Sequence, residues 1–223
     1  MKQLTTFIIF LFFLSSGLKA QSLWKMFPSN SIFGRQHLTL KQIQGSPYLN
    51  PEYVNGTVID SDGKVTKDIP LRYNCYSDVL EYKKEDKNYD ILPKEQVVRA
   101  DFGDHTFCYI EYEDESGNTS NKGYFQILTD DKASLFVKYH ISFYEREEVK
   151  GYSEPKPDRF DNLTLTYWIS FNKGPAKRIL NKSKIQDIFP DKKNEMQIYI
   201  SNQKLSFKKA DDLKKIVSYY NTL

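Results

Sequence analysis

The three histidines, His37, His105 and His140, are the side chains that could do acid–base or metal chemistry near neutral pH. None has a second histidine or a cysteine at the short spacing that zinc ligands show, so the sequence predicts no zinc site. No nucleophile elbow accompanies them, and a Ser-His-Asp set can be assembled from distant positions in almost any chain. We therefore expect none of the three histidines to be catalytic.

An acidic stretch, formed by Glu111, Glu113, Asp114 and Glu115, is the second group that could do chemistry. Glu111 and Glu113 share one face of a predicted strand, where two carboxylates could hold a hard cation such as calcium. The stretch lacks a complete ligand loop, and residues 60–63 (Asp-Ser-Asp-Gly) are only a fragment of one. We expect a solvated acidic rim without a metal or other cofactor, and nothing selects a carboxylate pair for glycoside hydrolysis.

Lysines near the C-terminus form the leading candidate for a functional surface. Residues 173–215 hold 12 Lys/Arg against 5 Asp/Glu, which gives this part of the chain a net charge of +7. On the polar faces of helices, such lysines could meet phospholipid head groups, anionic glycans or an acidic protein of the envelope. An ordinary solvated helix surface would have the same pattern. The lysines are Lys182, Lys184, Lys192, Lys193, Lys208, Lys209, Lys214 and Lys215.

The first twenty residues predict a cleavable export signal. Lys2 supplies a positive charge, residues 7–14 are apolar, and Ala20 is a small residue before an expected cleavage at Gln21. The apolar run is short for a bilayer span, and no second run of this kind follows. We expect a periplasmic or extracellular protein with no transmembrane segment after signal removal and no nucleic-acid partner.

Composition favours a β-rich body. Aromatic residues make up 15% of the chain, with 16 Tyr and 15 Phe, and these types favour half-buried strand surfaces. Removing the signal leaves a net charge of +1, which indicates no particular partner. Cys75 and Cys108 both lie in predicted strands, so a disulfide and two buried thiols both remain open.

Alternation of apolar and polar residues predicts antiparallel strands from Tyr53 onward. Residues 61–64 (Ser-Asp-Gly-Lys) are typical of a hairpin turn. The longest alternating segments, 135–143 and 163–171, predict one apolar and one mixed face, as in a sheet covered on one side. The other predicted strands are 53–60, 65–76, 79–83, 89–92, 96–102, 106–113 and 124–129.

Apolar stripes after residue 174 predict three short amphipathic helices, with caps at Asp191 and Ser206. The expected fold is α+β: an antiparallel β-meander, as a curved sheet or partly open barrel, with these helices packed on one face. The expected organisation is a signal peptide at 1–20, an N-terminal strap at 21–50, a β domain at 51–180 and a helical tail at 181–223. The stripes are Ile185, Ile188 and Phe189; Met196, Tyr199 and Ile200; and Leu213, Ile216, Val217 and Tyr220.

Four segments carry a resemblance to a known group of proteins. They are residues 45–49 (Gly-Ser-Pro-Tyr-Leu), 70–82 (Pro-Leu-Arg-Tyr-Asn through Asp-Val-Leu-Glu-Tyr), 123–128 (Gly-Tyr-Phe-Gln-Ile-Leu) and 212–221. Together they resemble exported β-rich proteins of unknown function from Bacteroidetes-type Gram-negative bacteria. The resemblance covers most of residues 45–223. It implies an envelope setting and supplies no catalytic or binding residue.

The sequence thus favours an exported envelope protein that acts as a non-enzymatic binding or structural module. An alternative is a carrier or sensor of an apolar ligand such as a lipid, because a curved sheet closed by helices can enclose an apolar cavity. A hydrolase ranks third. A filled core with charged surfaces would favour the module, and a water-exposed cleft with convergent polar groups would favour the enzyme.

Overall fold

The alternating segments form the strands of one long antiparallel sheet. The computed structural model describes residues 27–28, 43–85, 87–146, 157–180 and 185–223. The helices in these ranges are α1 Ile185–Ile188, α2 Lys193–Asn202 and α3 Ala210–Tyr220. The strands are β1 Phe27–Pro28, β2 Val54–Asp60, β3 Val65–Asn74, β4 Val79–Lys84, β5 Lys87–Asp90, β6 Val97–Phe102, β7 His105–Tyr112, β8 Asn121–Thr129, β9 Ala133–His140, β10 Phe143–Tyr144, β11 Arg159–Phe160, β12 Thr164–Phe171 and β13 Lys177–Arg178.

Eleven of these strands are ordered β1-β5-β4-β3-β2-β6-β7-β8-β9-β12-β13, and β10 pairs with β11 separately. The order is linear with β1 and β13 at its ends, so the sheet is open rather than closed. The α+β class and the β-rich antiparallel meander are confirmed. The predicted strap falls mostly outside the described residues, which include only 27–28 and 43–50 of it.

The β2–β3 hairpin shows how local residues fix the meander. The Asp60 carboxylate accepts hydrogen bonds from the backbone N–H groups of Asp62 and Lys64, both at 2.9 Å. Gly63 has a φ of 76°, a conformation that glycine adopts without the steric cost of a Cβ atom. The predicted hairpin turn is therefore confirmed, and the Asp60 side chain that precedes it holds two of its backbone N–H groups.

The expectation of three amphipathic helices is wrong. Two helices, α2 with ten residues and α3 with eleven, are accompanied by α1, a single turn of four residues. Neither predicted cap is used: α2 begins at Lys193 and α3 at Ala210, and neither has a side-chain cap. Ser206 lies too far upstream, because Phe207 and Lys208 form a turn and the extended Lys209 directly precedes α3.

The helical tail packs on β9 and β12, which lie near the β13 end of the sheet. Leu135 of β9 and Ile169 of β12 share a core with the buried side of both longer helices. The Asn221 amide binds the backbone of Ala133, donating to its carbonyl (2.9 Å) and accepting from its N–H (2.8 Å). The helical residues of this core are Ile188, Met196, Ile200, Leu213, Ile216, Val217 and Tyr220.

The prediction that β9 and β12 are covered on one side only is wrong. Their mixed face carries Phe136 and Trp168, which are buried against Phe125 and Cys108 in a separate core. Hydrogen bonds join Glu113 N–H to Ala176 O (2.9 Å) and Ala176 N–H to Glu111 O (2.9 Å), so the segment after β12 returns to β7 and covers this face. Leu165 lies at the start of β12, where the strand is not yet covered, and remains 49% exposed.

The largest core lies against β2–β8. Its buried side chains include Val58, Leu71, Tyr73, Leu80, Phe102, Phe107 and Tyr124, which come from β2, β3, β4, β6, β7 and β8. Within the ranges described, every helix is too short or too polar to cross a lipid bilayer.

Candidate functional site

Four of the predicted surface lysines, Lys193, Lys208, Lys209 and Lys215, are exposed, and Lys192 and Lys214 are half-buried. Lys182 and Lys184 lie outside the described residues. The hydroxyl of Tyr220 donates to the Asp191 carboxylate (3.0 Å), which places the start of α2 beside the end of α3. The lysines therefore follow the length of α3, a distance of about 16 Å for eleven residues.

Acidic residues lie among these lysines. Asp187, Asp191, Glu195 and Asp211 are exposed on the same helical tail. The charge of the tail is thus mixed. Its lysines lie in pairs just before α3, in the middle of α3 and beside the end of α3. This arrangement can bind an anionic partner through several lysines at once, with a strength that salt screening reduces.

The two described histidines lie far apart in the fold. His140, at the end of β9, has its Nε2 atom 3.3 Å from the Ser142 hydroxyl, and this pair is exposed. His105 begins β7, and its buried Nδ1 atom has no hydrogen-bond partner within the described part of the chain. His37 lies outside the described residues. Nowhere in the described ranges do three or more His, Cys, Asp or Glu side chains come together as metal ligands.

The acidic stretch is a rim of ion pairs. Glu111 pairs with Lys122 at 3.2 Å, Glu113 with Lys177 at 3.0 Å, and Glu115 with Arg178 at 3.2 Å. The Asp114 carboxylate instead accepts hydrogen bonds within its own loop from Ser116 and from the Asn118 backbone. These bonds lower the pKa of Asp114. Each carboxylate thus has a partner within the protein.

The two cysteines are free thiols buried in different cores. Cys75 belongs to the large core and Cys108 to the small core beside Phe125. Burial raises the pKa of each thiol to about 12, and nearby Asp78 and Asp130 act in the same direction. The sequence left open a disulfide or two buried thiols, and the structure shows two buried thiols.

A buried ion pair between Arg72 and Glu81 was not found by sequence reasoning. The two residues face each other across β3 and β4, and Glu81 Oε2 accepts from Arg72 Nε at 2.9 Å and Nη2 at 2.7 Å. Tyr48 and Tyr53 lie on the guanidinium, with ring centroids 3.5 and 4.3 Å from its carbon. Asn74 donates to the second carboxylate oxygen at 3.0 Å. These contacts offset much of the cost of burying two charges.

Asp90 adds a third charged residue, on β5, to the Arg72–Glu81 pair on β3 and β4. It lies opposite Glu81 across the β4–β5 ladder, and its Oδ1 atom is buried without a hydrogen-bond partner in the described ranges. Burial and the neighbouring Glu81 charge raise the pKa of Asp90 to about 6, while Lys94 opposes the shift. The Asp90 and Glu81 carboxylates thus lie opposite each other across the β4–β5 ladder, and Arg72 pairs with Glu81 from the other side, across the β3–β4 ladder.

A polar cavity of about 170 Å³ adjoins Arg72, between the segment before β2 and the turn that joins β6 to β7. Its lining includes apolar side chains, one cation and two carboxylates. We refer to it as the Arg72 cavity. Its residues are Leu49, Asn50, Glu52, Val54, Leu71, Arg72, Phe102, Gly103, Asp104 and His105.

A second internal ion pair, between Lys138 and Asp78, also escaped sequence reasoning. Lys138 Nζ donates to Asp78 Oδ2 (3.2 Å) and to the Tyr124 carbonyl (3.3 Å), and it lies 4.6 Å from the Phe125 ring centroid. Burial lowers the pKa of Lys138, and the Asp78 charge opposes that shift. The other Asp78 oxygen accepts from the Tyr73 hydroxyl at 2.6 Å.

Comparison with protein-family models, with curated proteins and with solved structures finds no match for this chain.

Proposed function

We propose that this chain is an exported, non-enzymatic binding module of a Gram-negative envelope, and that its helical tail meets an anionic partner. The observation that carries the proposal is the division of the tail into two sides. Its apolar stripes, such as Leu213, Ile216 and Val217, are buried against the sheet, whereas Lys193, Lys208, Lys209 and Lys215 are exposed.

The setting is supported by the sequence. The predicted export signal at residues 1–20 lies outside the described residues, and the resemblance to exported β-rich proteins of Bacteroidetes-type bacteria is a second, separate argument for it. We propose a periplasmic or extracellular location on these two grounds.

Internal packing gives more support to a binding module than to a carrier of an apolar ligand. The described cores are filled by interlocking side chains, with Tyr73, Phe107 and Tyr124 among the fully buried ones. The Arg72 cavity has charged walls, whereas an apolar ligand requires apolar lining. The Ser142–His140 pair adds nothing to the hydrolase reading, because it is exposed instead of lying in a cleft.

Vesicle binding tests the proposal. The chain from Gln21 onward is expected to co-sediment with vesicles that contain phosphatidylglycerol and less with pure phosphatidylcholine vesicles. Because exposed charges are screened within about 10 Å at 0.1 M salt, binding should weaken as salt increases. The variant Lys193→Gln/Lys208→Gln/Lys209→Gln/Lys215→Gln should lose most of the difference between the two vesicle types.

A variant with the same change in charge elsewhere is the control. Lys64, Lys67, Lys83 and Lys84 are exposed on the sheet, and replacing all four with Gln should leave vesicle binding almost unchanged. Heparin and polyglutamate, used as soluble competitors, separate a glycan or an acidic protein partner from a lipid surface. The proposal is wrong if vesicles, heparin and polyglutamate all fail to bind, or if both quadruple variants lose binding equally.

A further inference from the structure

We infer that the Arg72 cavity is a second binding site, which takes a small organic amine in its protonated form. The inference does not depend on the helical tail, which packs on β9 and β12 at a different part of the sheet. The cavity volume is about 170 Å³, whereas one buried water needs only about 10–15 Å³ of comparable space. There is room for a ligand of several heavy atoms.

The positive charge of Arg72 is already balanced within the protein. Its guanidinium donates to Glu81 through two nitrogens, to the Tyr48 hydroxyl (2.7 Å) and to the Pro51 carbonyl (3.2 Å). The Tyr48 ring covers one of its faces. An anionic ligand would therefore find a cation whose hydrogen-bonding capacity is nearly used, in a rigid wall of the cavity.

The two carboxylates in the cavity lining, unlike Arg72, have no ion-pair partner within the described ranges. Glu52 and Asp104 are exposed residues that line the cavity, and neither forms an ion pair with any other residue in the described ranges. With the Arg72 charge offset by Glu81, the charge that remains in the wall is negative. A cation is the complementary ligand.

The cation that fits is organic. The lining does not bring three or more metal-ligating side chains together within the part of the chain that is described. Val54 and Phe102 contribute apolar surface to the same cavity, against which a carbon skeleton can pack. A protonated amine supplies both parts, since its ammonium hydrogens bind carboxylates and its carbons contact the apolar wall.

Three probes of similar size test the charge preference. Ethanolamine, ethylene glycol and glycolate are a cation, a neutral molecule and an anion that share a hydroxyl group on a short carbon chain. In nitrogen-labelled protein, ethanolamine is expected to shift the amide signals of Gly103, Asp104 and His105 in a saturable way. Ethylene glycol and glycolate should leave these signals in place at the same concentration.

Two variants test the residues. Glu52→Gln/Asp104→Asn should weaken ethanolamine binding by about tenfold or more, because both charge partners are removed. Asp62→Asn removes an exposed carboxylate at the β2–β3 turn, outside the cavity, and should leave the affinity unchanged. Thermal unfolding of each variant establishes that it is folded. Equal shifts by all three probes, no saturable shift by ethanolamine, or equal loss in both variants would each overturn the inference.

Discussion

Lys138 and Asp78 form an ion pair through a space that exists because residue 123 has no side chain. The Nζ and Oδ2 atoms are 3.2 Å apart, although the residues are 60 positions apart in sequence. A Cβ atom on Gly123 would lie 2.5 Å from Nζ and 2.7 Å from Oδ2. The glycine thus allows the turn before β4 to reach β8 and β9.

We predict that Gly123→Ala destabilises the protein by about 1–3 kcal/mol, because the new methyl group forces the ion pair to open. Chemical denaturation measures the free energy of unfolding. The same substitution in a Lys138→Ala background should have a smaller effect, since one of the two clashing atoms is gone. Equal effects in both backgrounds would show that the ion pair is not what Gly123 accommodates.

Removing one partner of the other buried pair should have a larger effect. Arg72→Met leaves the fully buried Glu81 carboxylate without its guanidinium, and we expect a loss of about 3–5 kcal/mol in the free energy of unfolding. Arg99→Met is the matched control, because Arg99 and Asp101 form an exposed pair whose loss should cost about 1 kcal/mol or less. If both variants lose a similar free energy of unfolding, burial does not make the Arg72–Glu81 pair more important than the exposed pair.

Asp90 makes stability depend on pH in an unusual direction. Its folded-state pKa of about 6 is above the ordinary value of 3.8, so the folded protein binds the proton more tightly than the unfolded chain. The stability associated with this proton is complete below pH 3.8 and is lost as the pH rises through 6. By linkage, the difference is at most about 3 kcal/mol.

The variant Asp90→Asn isolates this effect. It cannot ionise, so it should be more stable than the natural chain at pH 7, and the difference should shrink as the pH approaches 4. Urea denaturation at pH 7 and at pH 4 measures the difference in the free energy of unfolding between the variant and the natural chain. A difference that is constant with pH would show that Asp90 is ionised in the folded protein throughout this range.

The thiols should be unreactive in the folded protein. Because the pKa of both Cys75 and Cys108 is raised to about 12, almost no thiolate is present at pH 8, and both side chains are buried. Iodoacetamide followed by mass spectrometry should give no labelling when folded and two labels per chain in urea without reductant. Failure to label in urea until reductant is added would reveal a disulfide instead.

Local patterns predicted the strands well, because alternation and Asp-Gly turns act over a few residues. They failed for the tail, where apolar residues at helical spacing around Ile185 form a single turn. They also failed for Phe136 and Trp168, since alternation cannot show that a second layer covers the mixed face.

The two internal ion pairs could not be predicted for a related reason. Arg72 meets Glu81 only because the β3–β4 register places them opposite each other, and Lys138 meets Asp78 only through the sheet order. In the sequence each is an ordinary charged residue. The same holds for the Arg72 cavity, whose walls come from the segment before β2 and from the β6–β7 turn.

The bond between Asn221 and Ala133 joins residues that are 88 positions apart, and α3 completes the core on β9 and β12. During synthesis, these strands leave the ribosome well before the helix that covers them. Their apolar surface therefore stays exposed until residues 210–221 are available to pack on it. At that stage the growing chain presents apolar side chains that favour aggregation.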